Sequence, residues 1–161
     1  MAVVDSSVLI HLGRINKLYL LKEYFKKIII TPDIYDEIKS GIGASEIEKA
    51  CESWIRIDEP KNLDEINSIS KLENIEKADA SIIVLAEEKK EILLSNDYAL
   101  IIVAKSKSIE CWWLTTFLLR CLKKKIIAKE EAKQILFELI EAGMRLGNDV
   151  YAAILREIDN F

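Results

Sequence analysis

Four carboxylates stand where they could do chemistry together: Asp5, Glu37, Asp79 and Asp97. Asp5 closes the apolar run Ala2-Val3-Val4, which reads as a short buried strand of a parallel sheet. Asp97 follows Ile92-Leu93-Leu94-Ser95-Asn96, a second such run. The rim at the C-terminal ends of such strands is where open α/β sheets bind ligands. Glu37 lies in the helix expected after Ile28-Ile29-Ile30, and Asp79 opens a strong helical stretch. If the first and fourth strands are neighbours, Asp5 and Asp97 project from adjacent strand ends. Carboxylates packed together repel and raise one another's pKa values. A divalent cation relieves that repulsion, and clustered carboxylate oxygens suit Mg2+ or Mn2+. Such a cation polarises a phosphate and lowers the pKa of a bound water. Taken singly, each acid has an ordinary explanation: a turn or helix cap for Asp5, Asp79 and Asp97, a solvated helix position for Glu37. Their conjunction favours a shared metal site.

The elements that must position these acids alternate along the chain. Strands are expected at 2–4, 28–30, 54–57, 92–94 and 109–113. Helices are expected at 8–12, 17–26, from Pro32 to near Gly41, 44–53, 63–72, 78–89 and 98–105. Ser6 or Ser7 is suited to cap the first. From Leu114 onward the reading is all helix, as 114–122, 129–142 and 149–158, with breaks at Gly143 and Gly147. Strands alternating with helices imply a parallel sheet with helices on both faces. The expected fold is a three-layer α/β/α arrangement around a mostly parallel sheet of about five strands. The C-terminal helices, about 114–161, are expected to pack on the same single domain spanning 1–161.

Composition narrows the class. Half of the 161 residues are hydrophobic, and only 2 are Pro and 5 Gly, so disorder is not expected and there is little room for long linkers. No apolar run approaches the roughly 20 residues of a membrane span, and the N-terminus does not read as a signal peptide. The three cysteines, Cys51, Cys111 and Cys121, fit neither a zinc motif nor a disulfide framework. They are expected to be reduced and mostly buried, and the protein cytoplasmic. A net charge of −4 argues against a generic duplex-DNA binder, though not against a nucleic-acid enzyme whose acids sit at a metal site.

Four of these segments carry a resemblance. Val4-Asp5-Ser6-Ser7-Val8-Leu9-Ile10 resembles the opening motif of PIN-domain ribonucleases, a family that includes VapC-like toxins. Thr31-Pro32 with Asp36-Glu37-Ile38, Asp79-Ala80-Ser81-Ile82-Ile83 with Leu85-Ala86, and Leu93-Leu94-Ser95-Asn96-Asp97 are similar to its later acidic segments, in order. The tail, from Glu141-Ala142-Gly143-Met144-Arg145-Leu146 through Asp149-Val150-Tyr151 to Ile154-Leu155, resembles a prokaryotic PIN-like subgroup. The resemblance implies a Mg2+- or Mn2+-dependent endonuclease of single-stranded RNA, often the toxin of a toxin–antitoxin pair. It implies Asp5, Asp79 and Asp97 as metal ligands, with Glu37 completing the catalytic set, and Ser7 and Ser95 orienting carboxylates or waters. An RNA substrate, an antitoxin protein and a homodimer are the implied partners. Asn96 and Ser81 stand where some relatives carry further acids, Ser108 where a Gly is common, and Trp112-Trp113 where smaller residues are usual.

Other readings compete. The lean acid set and negative charge suit a catalytically silent PIN-like module that binds protein or RNA. A receiver-type phosphoacceptor needs a pair of acids after its first strand, which Asp5-Ser6-Ser7 does not supply. A phosphatase of the haloacid-dehalogenase kind is disfavoured because Ser7 replaces its second Asp. His11, the only histidine, reads as a half-buried helix residue with no triad setting. The basic run Arg120, Lys123, Lys124 and Lys125 suits a solvated helix end or an RNA backbone. Trp112 and Trp113 suit core or dimer packing, or stacking on bases.

Overall fold

A computed structural model describes residues 1–41 and 43–161. Its five strands are β1 (Ala2–Val4), β2 (Ile28–Ile30), β3 (Ile55–Ile57), β4 (Ile92–Leu94) and β5 (Cys111–Trp112). They form one sheet in the order β3-β2-β1-β4-β5, and all four pairings are parallel. The chain therefore runs outward from β1 to β3, crosses back, and runs outward again from β4 to β5. Between β1 and β4 the direction of winding reverses, which opens a crevice at their C-terminal ends. Val4 is level with Leu94, so the residues that follow leave the sheet side by side.

The described residues form ten helices: α1 (Ser6–Arg14), α2 (Tyr19–Phe25), α3 (Pro32–Ile38), α4 (Ala44–Cys51), α5 (Leu63–Glu73), α6 (Lys77–Lys89), α7 (Tyr98–Ser106), α8 (Leu114–Lys123), α9 (Lys129–Glu141) and α10 (Asn148–Asp159). Right-handed crossovers place the helices after β1 and β2 on one face and those after β3 and β4 on the other. This is the expected α/β/α layering. The strands are three residues or fewer and apolar but for Arg56 in the edge strand β3, and β1, β2 and Leu93-Leu94 are fully buried. α6 packs over β1 and β4 and is buried nearly all round from Ala80 to Ala86, so its apolar residues show little one-sidedness. No helix among the described residues is long and apolar enough to cross a membrane.

Expected and observed elements agree to within a few residues, and the differences have local causes. β5 is shorter than 109–113. Ser108 adopts the left-handed conformation at φ 62°, and the Ser108 and Ile109 amides donate to Lys105 and Ala104 carbonyls, closing α7. Trp113 has already left the sheet as the residue that caps α8. Gly143 ends the α9 segment at φ 111°, a conformation that suits glycine alone. Gly147 begins α10 in ordinary extended geometry. The cysteines are free, but only Cys121 is buried; Cys51 and Cys111 are half-buried near helix and strand ends. Burial pushes the Cys121 thiol up to about 12. His11 is half-buried on α1, and burial, with the charge of Arg14, lowers its pKa. Trp112 is core: its ring meets Tyr24 and Phe25, which in turn pack on Phe117, and Arg120 lies over its face at 5.0 Å. Lys124 lies over Tyr24 at 4.0 Å, so half of the basic run packs on aromatic faces.

Candidate active site

Asp5 is the residue on which α1 begins, yet its side chain makes no capping bond. Its carboxylate is turned instead to the two serines. Ser7 Oγ donates to Asp5 Oδ2 at 2.8 Å, and Ser95 Oγ donates to the same oxygen at 3.0 Å. Each hydroxyl is itself held by a backbone amide of the neighbouring loop: Asn96 N donates to Ser7 Oγ at 2.9 Å, and Asp97 N to Ser95 Oγ at 3.0 Å. A serine hydroxyl has one proton, and an amide donating to its oxygen directs that proton to the carboxylate. Ser6 and Ser7 thus cap nothing, contrary to expectation, because the Ser7 hydroxyl is already used in joining β1 to β4. Both donors use Oδ2, so Oδ1 receives no side-chain hydrogen bond.

The other acids gather around this pair of strand ends. Asp97 begins α7, and its Oδ1 accepts from Leu100 N at 3.3 Å, so the capping explanation holds for it in part. Asp79 lies in the first turn of α6, three residues past Glu76, and is therefore not the residue that caps that helix. Glu37 sits on α3, which Thr31 caps by accepting from Ile34 N at 3.2 Å and which Pro32 starts. Its side chain is exposed.

The electrostatics show that these groups share one region. Burial pushes the Asp79 carboxyl up to about 7, and the charges of Asp5, Asp97, Glu37 and Glu76 push in the same direction. Burial likewise raises Asp5, against the lowering effect of the Ser7 and Ser95 hydroxyls. Partial burial raises Glu37; the Ser6 hydroxyl pulls it down, and Asp5, Glu76 and Asp33 push it up. Among the described residues none of Asp5, Glu37, Glu76, Asp79 and Asp97 takes part in an ion pair.

A family model described as a PIN domain, DUF3368, matches residues 1–160. The chain belongs to the PIN-domain family. PIN domains are generally nucleases. The fold is also similar to the crystal structure of PAE2754 from Pyrobaculum aerophilum, with a TM-score of 0.57 and 20% identity over 74% of this chain and 93% of that one. At that identity the likeness speaks for the fold alone. No curated protein matches the chain.

In this PIN domain all four acids singled out in the sequence lie close enough to feel one another's charge through Asp79. Among the described residues no three His, Cys, Asp or Glu side chains are drawn together as a ready metal-ligand group. Uncompensated carboxylates hold one another apart. The donor chemistry nonetheless fits a hard divalent cation: oxygens only, one of them on a buried and hydroxyl-clamped aspartate, in a region with excess negative charge. Two participants escaped the sequence reading. Glu76 is one turn before Asp79 on the same helical face, a spacing that could have flagged it. Ser6 acts on Glu37 across from α1 to α3, a contact that no local spacing records.

Proposed function

We propose that this PIN domain is a Mg2+- or Mn2+-dependent endoribonuclease that hydrolyses phosphodiester bonds of single-stranded RNA. The observation that carries the reading is the unpaired acidic cluster centred on Asp79 at the β1/β4 crevice. Asp5, Asp79 and Asp97 would hold the cation, with Glu37 at the edge of the set. The cation supplies Lewis acidity toward phosphate and water. The chain's own contribution is orientation and charge. Ser7 and Ser95 fix the Asp5 carboxylate through Oδ2 and leave Oδ1 for a ligand. Asp97 is fixed twice, by its amide on Ser95 and its carboxylate on Leu100 N. Asp79 is the carboxylate that a cation would relieve most, since burial and its acidic neighbours hold it up at about 7 without one.

The test is cleavage of a single-stranded RNA with and without Mn2+. The wild-type protein is expected to cut only with metal, and Asp5→Asn or Asp97→Asn to lose at least about a hundredfold in rate while melting as folded proteins. Full cleavage by both variants would remove the assigned site. The same variants read the toxin expectation: the wild-type chain should arrest growth of a bacterial host and Asp5→Asn should not. The absence of a drawn-in ligand group among the described residues favours, as second reading, a silent interaction module. Calorimetric titration with no Mn2+ uptake at millimolar metal would select it.

A further inference from the structure

Beside the acidic crevice lies a cavity of about 430 Å³ whose wall includes Asn96, Tyr98, Trp113, Thr115, Met144 and Arg145. Asn96 and Tyr98 bracket Asp97, so the cavity borders the carboxylate cluster along the chain itself. Its aromatic wall is a pair. Tyr98 and Trp113 lie nearly parallel, at 25°, with ring centroids 6.4 Å apart, and Tyr98 is 69% exposed. Trp112, next in sequence to Trp113, is buried in an aromatic core; Trp113 at the cavity is only half-buried. Arg145 is exposed and in no ion pair among the described residues, although the chain carries an excess of acids. It is brought here by the tail between α9 and α10.

We propose that this cavity is a nucleotide subsite, in which one unpaired base of the RNA stacks on the Tyr98–Trp113 pair while Arg145 meets a phosphate next to the bond to be cut. The inference rests on the nuclease reading for its substrate. Three chemistries converge on a single-stranded nucleotide. Aromatic faces take any base in stacking, and only an unpaired base exposes its face. A free guanidinium matches a phosphate with two parallel hydrogen bonds. The Asn96 amide and Thr115 hydroxyl give the wall a few polar groups among apolar ones, as small-ligand pockets have. Contiguity with Asp97 fixes which nucleotide is held: one adjacent to the metal site, so the subsite positions the chain for cleavage.

The test is equilibrium binding of a short fluorescent single-stranded RNA, followed by anisotropy in Ca2+, with RNA integrity checked on a gel. Tyr98→Ala and Trp113→Ala are each expected to weaken binding about tenfold. Trp113→Phe should recover most of it, and Arg145→Ala should weaken binding and flatten its salt dependence. Phe137→Ala, which removes an exposed aromatic on α9, is the control and should bind as wild type. Tyr98 is exposed enough that its removal leaves the fold intact, so the result stands even if Trp113→Ala unfolds. Wild-type affinity in Tyr98→Ala and Arg145→Ala, or no RNA binding by wild type, overturns the subsite. Cleavage is scored separately in Mn2+. Aromatic-dependent binding without cleavage sinks the nuclease reading but keeps the subsite, and cleavage indifferent to Tyr98 does the reverse.

Discussion

Asp5 accepts two hydroxyl protons on one oxygen while buried to 3% exposure, and each hydroxyl is directed by an amide of the β4–α7 loop. Removing one donor leaves a buried carboxylate short of a charge-assisted hydrogen bond, which costs about 1.5–3 kcal/mol. Ser95→Ala is therefore expected to lower stability by about 2 kcal/mol in denaturant titrations, and by clearly less in an Asp5→Asn background. Equal losses in both backgrounds would mean that the serine matters for packing and not for the carboxylate. Asp79 gives the opposite sign. Its folded-state pKa lies at about 7 against an ordinary 3.8, so between these values the native protein binds a proton that the unfolded chain has lost. Stability thus falls as pH rises through that window, and the penalty is fully present above it. Asp79→Asn removes the penalty. Without metal, the variant is expected to melt higher than wild type at pH 8 and at the same temperature near pH 4. Added Mn2+ should raise the wild-type melting temperature and leave the variant's unchanged. A variant that melts lower than wild type at pH 8 would show that Asp79 is not crowded by its neighbours.

Most elements were legible because each is punctuated locally. The runs Ala2–Val4, Ile28–Ile30 and Ile92–Leu94 are β-branched or leucine-rich and end at polar residues, and all three strands fall where the pattern put them. Thr31-Pro32 announced α3, and the Thr31 hydroxyl does accept from Ile34 N. The pattern failed where tertiary bonds take over a residue of ambiguous type. Ser7 looked like a helix cap because its sequence neighbourhood is a helix start; only the pairing of β1 with β4 brings Asn96 N to its hydroxyl. Ile109 is apolar and looked like strand, but its amide is taken by the closing turn of α7. That turn requires Ser108 at φ 62°, a conformation that costs a side-chain-bearing residue about 1–2 kcal/mol. Ser108→Gly is expected to stabilise the protein by about 0.5–1 kcal/mol once the added freedom of glycine in the unfolded chain is subtracted. The check is chemical denaturation at unchanged m-value; a destabilised variant would show that the Ser108 side chain contributes more than the strain it causes.

At the scale of the whole molecule, charge constrains how RNA is held. The chain has 23 Lys and Arg against 27 Asp and Glu, and the acids at the β1/β4 crevice stand without cationic partners among the described residues. A polyanion approaches such a rim only when cations screen it. Two members of the basic run on α8, Arg120 and Lys124, lie over Trp112 and Tyr24, where they stabilise an aromatic cluster as well as carrying charge. Of that run, only Lys123 and Lys125 are then left to follow a phosphate backbone. Binding should depend on stacking and on the divalent ion more than on a basic surface. For single strands the logarithm of the binding constant falls with the logarithm of salt concentration by about 0.7 per neutralised phosphate. With Arg145 and one or two lysines engaged, the slope at constant Ca2+ is expected to be shallower than about −2. Anisotropy titrations between low and moderate KCl measure it directly. A slope steeper than about −4 would mean that several phosphates are neutralised at once, and the exposed Lys123 and Lys125 at the end of α8 would then belong to the RNA-binding surface.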